Sequence, residues 1–388
     1  MSEKIRVLVV DDSALMRKLI PSILARDPEI EVVGTAMDGE FALKKVEELR
    51  PDVVTLDLEM PRMDGMETLR LIMRRAPLPV ILFSTHSKEG AYSTLKALAL
   101  GAVDFIAKPT DAAAGHLEKI ADVLIEKIKV AKRATGRKLP PATVPIDPPA
   151  VLKKGARSTA APSRIIAIGV STGGPNALQF VLSQLPSDFP CSILVVQHMP
   201  EGFTEMFAKR LDECCALDVS EAKSGDLLLA GRVLICPGNR HMMVRRMPRG
   251  DMAVLSDGAP VNGHRPSVDV LFHSVAQEFS LASVGILMTG MGEDGADGLG
   301  VIKAAGGFTI AQSEETCVVS GMPRAAITKG HANRFIALEQ IGNFLASQYG
   351  SERLGEKSDK PEKDRSDKNE KNDKLDKSER TPVSSQRS

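Results

Sequence analysis

Short β-branched and aliphatic runs alternate with amphipathic stretches over the first third of the chain. IRVLVV, EVVGTA, VVTLD, PVILFS and VDFIA are followed in turn by segments at 15–26, 40–50, 67–75, 89–100 and 116–130 whose apolar residues recur at helical spacing. Five strand–helix units predict a five-stranded parallel sheet with helices on both faces. The rhythm returns at RIIAIGV (164–170), SILVVQ, SVGILMTG and FTIAQ, with helical segments at 175–185, 203–213, 267–279, 296–305 and 323–329. That series predicts a second, doubly wound α/β domain. Between 217 and 258 it is interrupted by short β-type runs with Gly, Asn and Asp turns (LLLAGRVLICPGN, MMVRRM, MAVLSDG), read as a β-hairpin insertion in or beside the sheet.

Composition sets the boundaries. Residues 131–163 carry six prolines and seven basic residues, with only Asp147 acidic, the character of a linker. The last 38 residues hold 21 charged side chains, no aromatics and three aliphatic residues, too little apolar surface to offset the entropy of ordering. The expected organisation is a first domain at 1–130, a linker at 131–163, a second domain at 164–348 and a disordered charged tail at 349–388.

Charge narrows the classes of partner. With 50 basic and 50 acidic residues the 388-residue chain is formally neutral, which gives no overall electrostatic reason to expect nucleic acid or an anionic membrane. No stretch approaches the roughly 18 to 20 apolar residues of a membrane span, and the N-terminus turns acidic before a signal-type segment develops. A cytoplasmic protein without membrane insertion is expected. The five cysteines form no C-x-x-C pair and read as reduced structural thiols.

Candidate chemistry gathers at strand ends. Asp11 and Asp12 follow the first strand, Asp57 ends the third, Ser84 ends the fourth and Lys108 follows the fifth. These are carboxyl-end positions, where open parallel sheets bind ligands. Asp or Lys at any one strand end can be a cap or a solubilising residue. Three converging carboxylates, however, repel one another unless a hard cation sits among them, and Mg²⁺ held by few protein oxygens fits. Asp57 is then a phosphoryl acceptor, with Mg²⁺ and Lys108 neutralising the transferred oxygens. This set, over residues 5–125, resembles the response-regulator receiver domain, a flavodoxin-like fold. The resemblance implies Mg²⁺ at Asp11, Asp12 and Asp57, phosphorylation of Asp57 by a histidine kinase, Ser84 bonding the phosphoryl group, and repacking of Phe105 with the switch.

A second group lies in the later domain. GVSTGG (169–174) stands between a strand and a helix, a turn that presents the Ser171 hydroxyl. The same residues also suit a helix N-cap or a phosphate cradle, although no Gly-Lys-Ser/Thr follows. His198 ends the next strand in QHMP and is the histidine best placed to act as base for Ser171. MTGMGEDGADGL supplies the carboxylate, with Asp294 preferred over Glu293 and Asp297. The order Ser, His, Asp departs from that of α/β-hydrolases. GVSTGG, QHMP and MTGMGEDGADGL, over residues 164–345, resemble the catalytic domain of the chemotaxis protein-glutamate methylesterases, the CheB family, and a receiver in front matches their domain order. The resemblance implies a triad of Ser171, His198 and Asp294, with oxyanion donors at the backbone of Thr172 and Met291. It further implies hydrolysis of glutamyl methyl esters and deamidation of glutamines on chemoreceptor cytoplasmic helices, no cofactor in the esterase domain, and steric gating by the receiver. Two other readings are an esterase or amidase with a different substrate, and a catalytically silent phosphate-switched interaction module.

Overall fold

The computed structural model describes residues 3–85, 87–108, 114–134 and 158–350, with residues 114–120 and 134 in their backbone alone. The expected linker over 135–157 and the expected tail over 351–388 lie outside the described residues.

The first series alternates as its pattern predicts: β1 (Ile5–Val10), α1 (Met16–Leu24), β2 (Ile30–Ala36), α2 (Gly39–Leu49), β3 (Val53–Asp57), α3 (Gly65–Arg75), β4 (Val80–Ser84), α4 (Lys88–Ala99), β5 (Asp104–Ala107) and α5 (Ala114–Ala134). All pairings are parallel, in the order β2-β1-β3-β4-β5. β3 and β4 are buried at every position, as unbroken apolar runs require in a sheet covered on both faces. Asp38, Asp64 and Ser87 start α2, α3 and α4 by accepting the N–H groups of Phe41, Glu67 and Gly90. Helix α5 runs four residues past position 130, because Ala131 is buried and Lys132 pairs with Asp52.

The second series comprises β6 (Ile165–Val170), α6 (Gly174–Leu182), β7 (Ser192–Gln197), α7 (Phe203–Cys214), β8 (Asp218–Glu221), β9 (Arg232–Ile235), β10 (His241–Arg245) and β11 (Met252–Ser256). It continues through α8 (Val268–Phe279), β12 (Ser283–Leu287), α9 (Ala296–Ala304), β13 (Phe308–Gln312), α10 (Gly321–Thr328), β14 (Arg334–Ile336) and α11 (Leu338–Tyr349). Seven of these strands form a parallel sheet in the order β14-β13-β12-β6-β7-β9-β8. Only β10 and β11 make the inserted antiparallel hairpin. The run LLLAGRVLICPGN, read as hairpin material, instead contributes β9 to the main sheet, parallel to β7 and β8. Val233, Leu234 and Ile235 are fully buried, which suits a two-sided parallel strand better than a half-exposed hairpin.

One apolar cluster passes from a face of the first sheet through α4 into α6, α7 and the second sheet. Phe105 of β5 stacks on Phe203 of α7 with ring centroids 4.7 Å apart, at 6% and 1% exposure. Burial of each ring is worth about 1.5–3 kcal/mol, so the two series share a core across their boundary. All five cysteines are buried.

Candidate active site and phosphoacceptor site

Sheet register brings the acidic residues of the first domain together. Val10 pairs with Leu56, so Asp11 and Asp57 emerge side by side one position later. Ligand atoms of Asp11, Asp12 and Asp57 all lie within 4.8 Å of one another. Lys108 Nζ approaches Asp57 Oδ2 at 2.6 Å and Asp11 Oδ2 at 3.4 Å. Burial pushes the carboxyls of Asp11 and Asp57 above their ordinary value, even with Lys108 opposing it. Asp11 Oδ2 is buried without a hydrogen-bond partner. Three clustered hard oxygen donors, one of them a buried carboxylate oxygen that makes no hydrogen bond, fit a Mg²⁺ ion.

Ser84, expected at the phosphoryl group, points its hydroxyl elsewhere: it donates to the carbonyl of Gly90 (3.2 Å) and accepts from Thr94 Oγ1 (2.6 Å). The hydroxyl is thereby tied to the first turns of α4.

In the second domain the three expected residues follow three adjacent strands. β6 pairs with β7 through Val170 and Gln197, so Ser171 and His198 stand next to each other just beyond the register. β12 flanks β6 on its other side and leads into the loop that carries Asp294. The chain direction around the sheet reverses between β6 and β12, the position where open α/β sheets form ligand crevices. Ser171 does not cap α6. That position falls to Gly173, whose φ of 75° lies in the left-handed region, and whose Cβ, if present, would stand 2.6 Å from Val318. Gly290 permits the close approach that completes the site, since a Cβ there would lie 2.8 Å from that of Ser171.

His198 Nε2 bonds Asp294 Oδ2 at 2.8 Å, while the buried His198 Nδ1 has no partner among the described residues. With Nε2–H donating to the Asp294 carboxylate, Nδ1 is left as the basic nitrogen. Asp294 is 1% exposed and accepts from Ser267 Oγ (2.8 Å) and from the N–H groups of Val268 (2.7 Å) and Asp269 (3.2 Å). These donors surround the N-terminus of α8, where the helix dipole favours an anion. Burial acts to raise the Asp294 carboxyl. The hydrogen bond and charge of His198, with the Val268 N–H and the Ser267 hydroxyl, outweigh it and hold the value at about 2. The competing candidates are engaged elsewhere, Glu293 and Asp297 both pairing with Lys329.

Contacts not foreseen from the sequence complete the picture. The Thr172 hydroxyl donates to Asp104 Oδ2 of β5 at 2.6 Å, and Lys127 of α5 holds the same oxygen. Asn176 Nδ2 of α6 donates to the carbonyl of Leu98 in α4 (2.7 Å). The His264 ring lies against that of His198. Asp104 sits beside Phe105 and Ser267 at a helix start, but neither belonged to a motif; Asn262-Gly263 before His264 was the one local turn signal.

Comparison with known proteins agrees with this layout. Residues 7–119 match the model of the response regulator receiver domain and residues 166–345 that of the CheB methylesterase. The chain is 62% identical over 356 residues to the protein-glutamate methylesterase/protein-glutamine glutaminase 2 of Koribacter versatilis (strain Ellin345), covering 90% of this chain and 98% of that one. The protein-glutamate methylesterase/protein-glutamine glutaminase of Symbiobacterium thermophilum is 48% identical over 355 residues, covering 89% and 97%. That of Halalkalibacterium halodurans is 47% identical over 352 residues, covering 90% and 99%. With both models matched and relatives at 47–62% identity covered over nearly their whole length, this chain belongs to the CheB family of response-regulator methylesterases.

Proposed function

We propose that the protein is a phosphorylation-activated protein-glutamate methylesterase and protein-glutamine glutaminase that works through Ser171, His198 and Asp294. The observation that carries the assignment is the His198–Asp294 bond of 2.8 Å beside an unpartnered His198 Nδ1, on the strand next to that of Ser171.

Ser171 Oγ attacks the γ-carbonyl carbon of a glutamyl methyl ester while His198 Nδ1 takes the hydroxyl proton. Asp294 holds the ring by Nε2–H and stabilises the imidazolium. The tetrahedral oxyanion is received by the backbone N–H groups of Thr172 and Met291. Collapse breaks the ester C–O bond, His198 returns its proton to the departing oxygen, and methanol leaves. Water then attacks the acyl-enzyme with His198 again as base, releasing glutamate and free Ser171. With a glutamine side chain the same sequence expels ammonia.

Control comes from the receiver. Asp11, Asp12 and Asp57 would hold Mg²⁺, which when bound neutralises charge on an incoming phosphoryl group. Asp57 accepts that group from a histidine kinase, with Lys108 beside it. A phosphoryl group that draws the Ser84 hydroxyl away from Gly90 and Thr94 frees the start of α4, the helix that meets α6 and α7. Phe105 then leaves Phe203, Asp104 releases Thr172, and the cleft opens. The substrates on this reading are methylated glutamates on cytoplasmic helices of chemoreceptors, and the protein acts in the cytoplasm. No helix among the described residues is long and apolar enough to cross a membrane.

We place the receiver at 1–130 with its last helix continuing to 134, the linker after it up to 163, the esterase domain at 164–348 and a charged tail at 349–388. Methanol release from a methylated receptor fragment, with and without acetyl phosphate, tests the whole scheme. Wild type is expected to accelerate with acetyl phosphate, Asp57→Asn to stay at its basal rate, and Ser171→Ala to release none. Release by Ser171→Ala would overturn the assignment.

A further inference from the structure

His198 is restrained on one edge by Asp294, but a ring held by a single hydrogen bond can still pivot about that bond. The His264 ring lies flat against its face. The two rings are stacked with centroids 4.0 Å apart and planes 4° from parallel.

The segment bearing His264 is itself fixed. Val261 and His264 exchange backbone hydrogen bonds of 3.0 and 2.9 Å around Asn262 and Gly263, whose φ values of 52° and 78° make the tight turn for which Asn-Gly is suited. Asn262 Nδ2 donates to Asp269 Oδ2 at 2.9 Å, and the Arg265 guanidinium donates to Asn239 Oδ1 at 2.6 Å and to the carbonyls of Asp257 and Gly258. A few residues later Ser267, Val268 and Asp269 hold Asp294. A single stretch, residues 261–269, therefore restrains the catalytic imidazole on its edge and on its face.

We propose that His264 is a positioning residue for the hydrolysis: its flat, uncharged ring packs on the face of His198 and fixes the imidazole plane, so that Nε2 stays on Asp294 while Nδ1 remains set for the Ser171 proton. Charge chemistry agrees. The ionisable groups facing His264 are His198 and Asp294; burial, followed by His198, pushes the His264 value down to about 4 against the opposing pull of Asp294. His264 thus stays neutral while His198 becomes cationic during each turnover, and no second cation opposes it.

The inference rests on the triad assigned above, and the test separates the two. Methanol release by the acetyl phosphate-treated full-length chain is measured for wild type, Ser171→Ala, His198→Ala, His264→Ala, His264→Leu, His264→Phe and the His198→Ala/His264→Ala double variant. His264→Ala and His264→Leu are expected to lower kcat by roughly 10- to 100-fold with KM within about twofold, the scale of loss from a misplaced catalytic group. His264→Phe, which keeps a flat ring, recovers activity to within about fivefold of wild type, and removing His264 from His198→Ala costs nothing further. If His264→Ala does not fold, the Leu and Phe variants decide the matter. Leu equal to Phe, a wild-type kcat for either aliphatic variant, or an undiminished loss in the His198→Ala background would overturn the proposal. Activity in Ser171→Ala would instead overturn the triad.

Discussion

Asp294 combines burial with three donors and a histidine, so its removal has separable effects on chemistry and stability. Asp294→Asn keeps the shape but loses the charge that orients His198 and stabilises its protonated form. The expected fall in kcat is roughly 10³- to 10⁴-fold, the scale seen when a triad carboxylate becomes an amide. Its folded value of about 2 lies below the ordinary 3.8. A carboxylate lowered on folding stabilises above the ordinary value and loses that contribution as pH falls through the folded one. The urea midpoint of wild type should therefore drop between pH 3.8 and about 2, and Asp294→Asn should drop less over that window. Ser267→Ala removes one of the donors to Asp294, at a cost of about 1.5–3 kcal/mol for a hydrogen bond to a charged group, read as a lowered urea midpoint.

At the scale of elements, the proposed control runs through β5 and α4 to the loops after β6 and β12. Asp104→Ala deletes the oxygen that holds Thr172 while leaving Asp57 and the triad intact. Basal methanol release without acetyl phosphate should rise about tenfold, within the worth of one charge-assisted hydrogen bond, and the activated rate should change little. Unchanged basal release would mean that Asp104 does not restrain the closed form. Gly290→Ala tests the packing side of the same region: its Cβ would meet Met322 Sδ at 2.2 Å and Ser171 Cβ at 2.8 Å. Overpacking of this kind costs about 1–3 kcal/mol, and here it also displaces the nucleophile, so both the melting temperature and kcat should fall.

Most strands were legible because they lie inside parallel sheets, which writes them as apolar runs; the edge strands β8 (DVSE) and β14 (RFI) carry no such run and were not foreseen, nor was α11. β9 was misread as hairpin material because it follows β8 without an intervening helix, and short buried strands look alike in either setting. The convergence of Asp11, Asp12 and Asp57, and that of Ser171, His198 and Asp294, was legible for a related reason, as strand-end residues need only the strand order to be brought together. Ser267 and His264 were not, since they lie in the segment before α8, outside any motif in the sequence, and only the fold brings them to Asp294 and His198. Nor was Asp104, whose partner Thr172 lies 68 residues away in the other domain. Ser84 was placed correctly at its strand end, but the direction of its hydroxyl depends on α4 and cannot be read from β4 alone.

On the proposed reading, the whole molecule couples a metal-dependent acceptor to a hydrolase whose triad needs no contribution from that acceptor's carboxylates. Mg²⁺ should raise the melting temperature of wild type by relieving the buried Asp11 and Asp57 carboxylates, and should do so much less in Asp57→Asn, as thermal scans with and without the ion would reveal. Chelation should abolish acceleration by acetyl phosphate yet leave the basal rate in place.

The bond between Thr172 and Asp104 also has a reading in the opposite direction. Coupling between two sites is reciprocal. If a modified Asp57 favours the state in which a receptor helix can enter the cleft, then a helix already in the cleft favours the state in which Asp57 holds its phosphoryl group, by the same factor. A methylated receptor is then an effector of the receiver as well as its target. Crowded arrays of substrate would keep the enzyme switched on after the kinase falls silent, and the signal would fade as the esters are consumed.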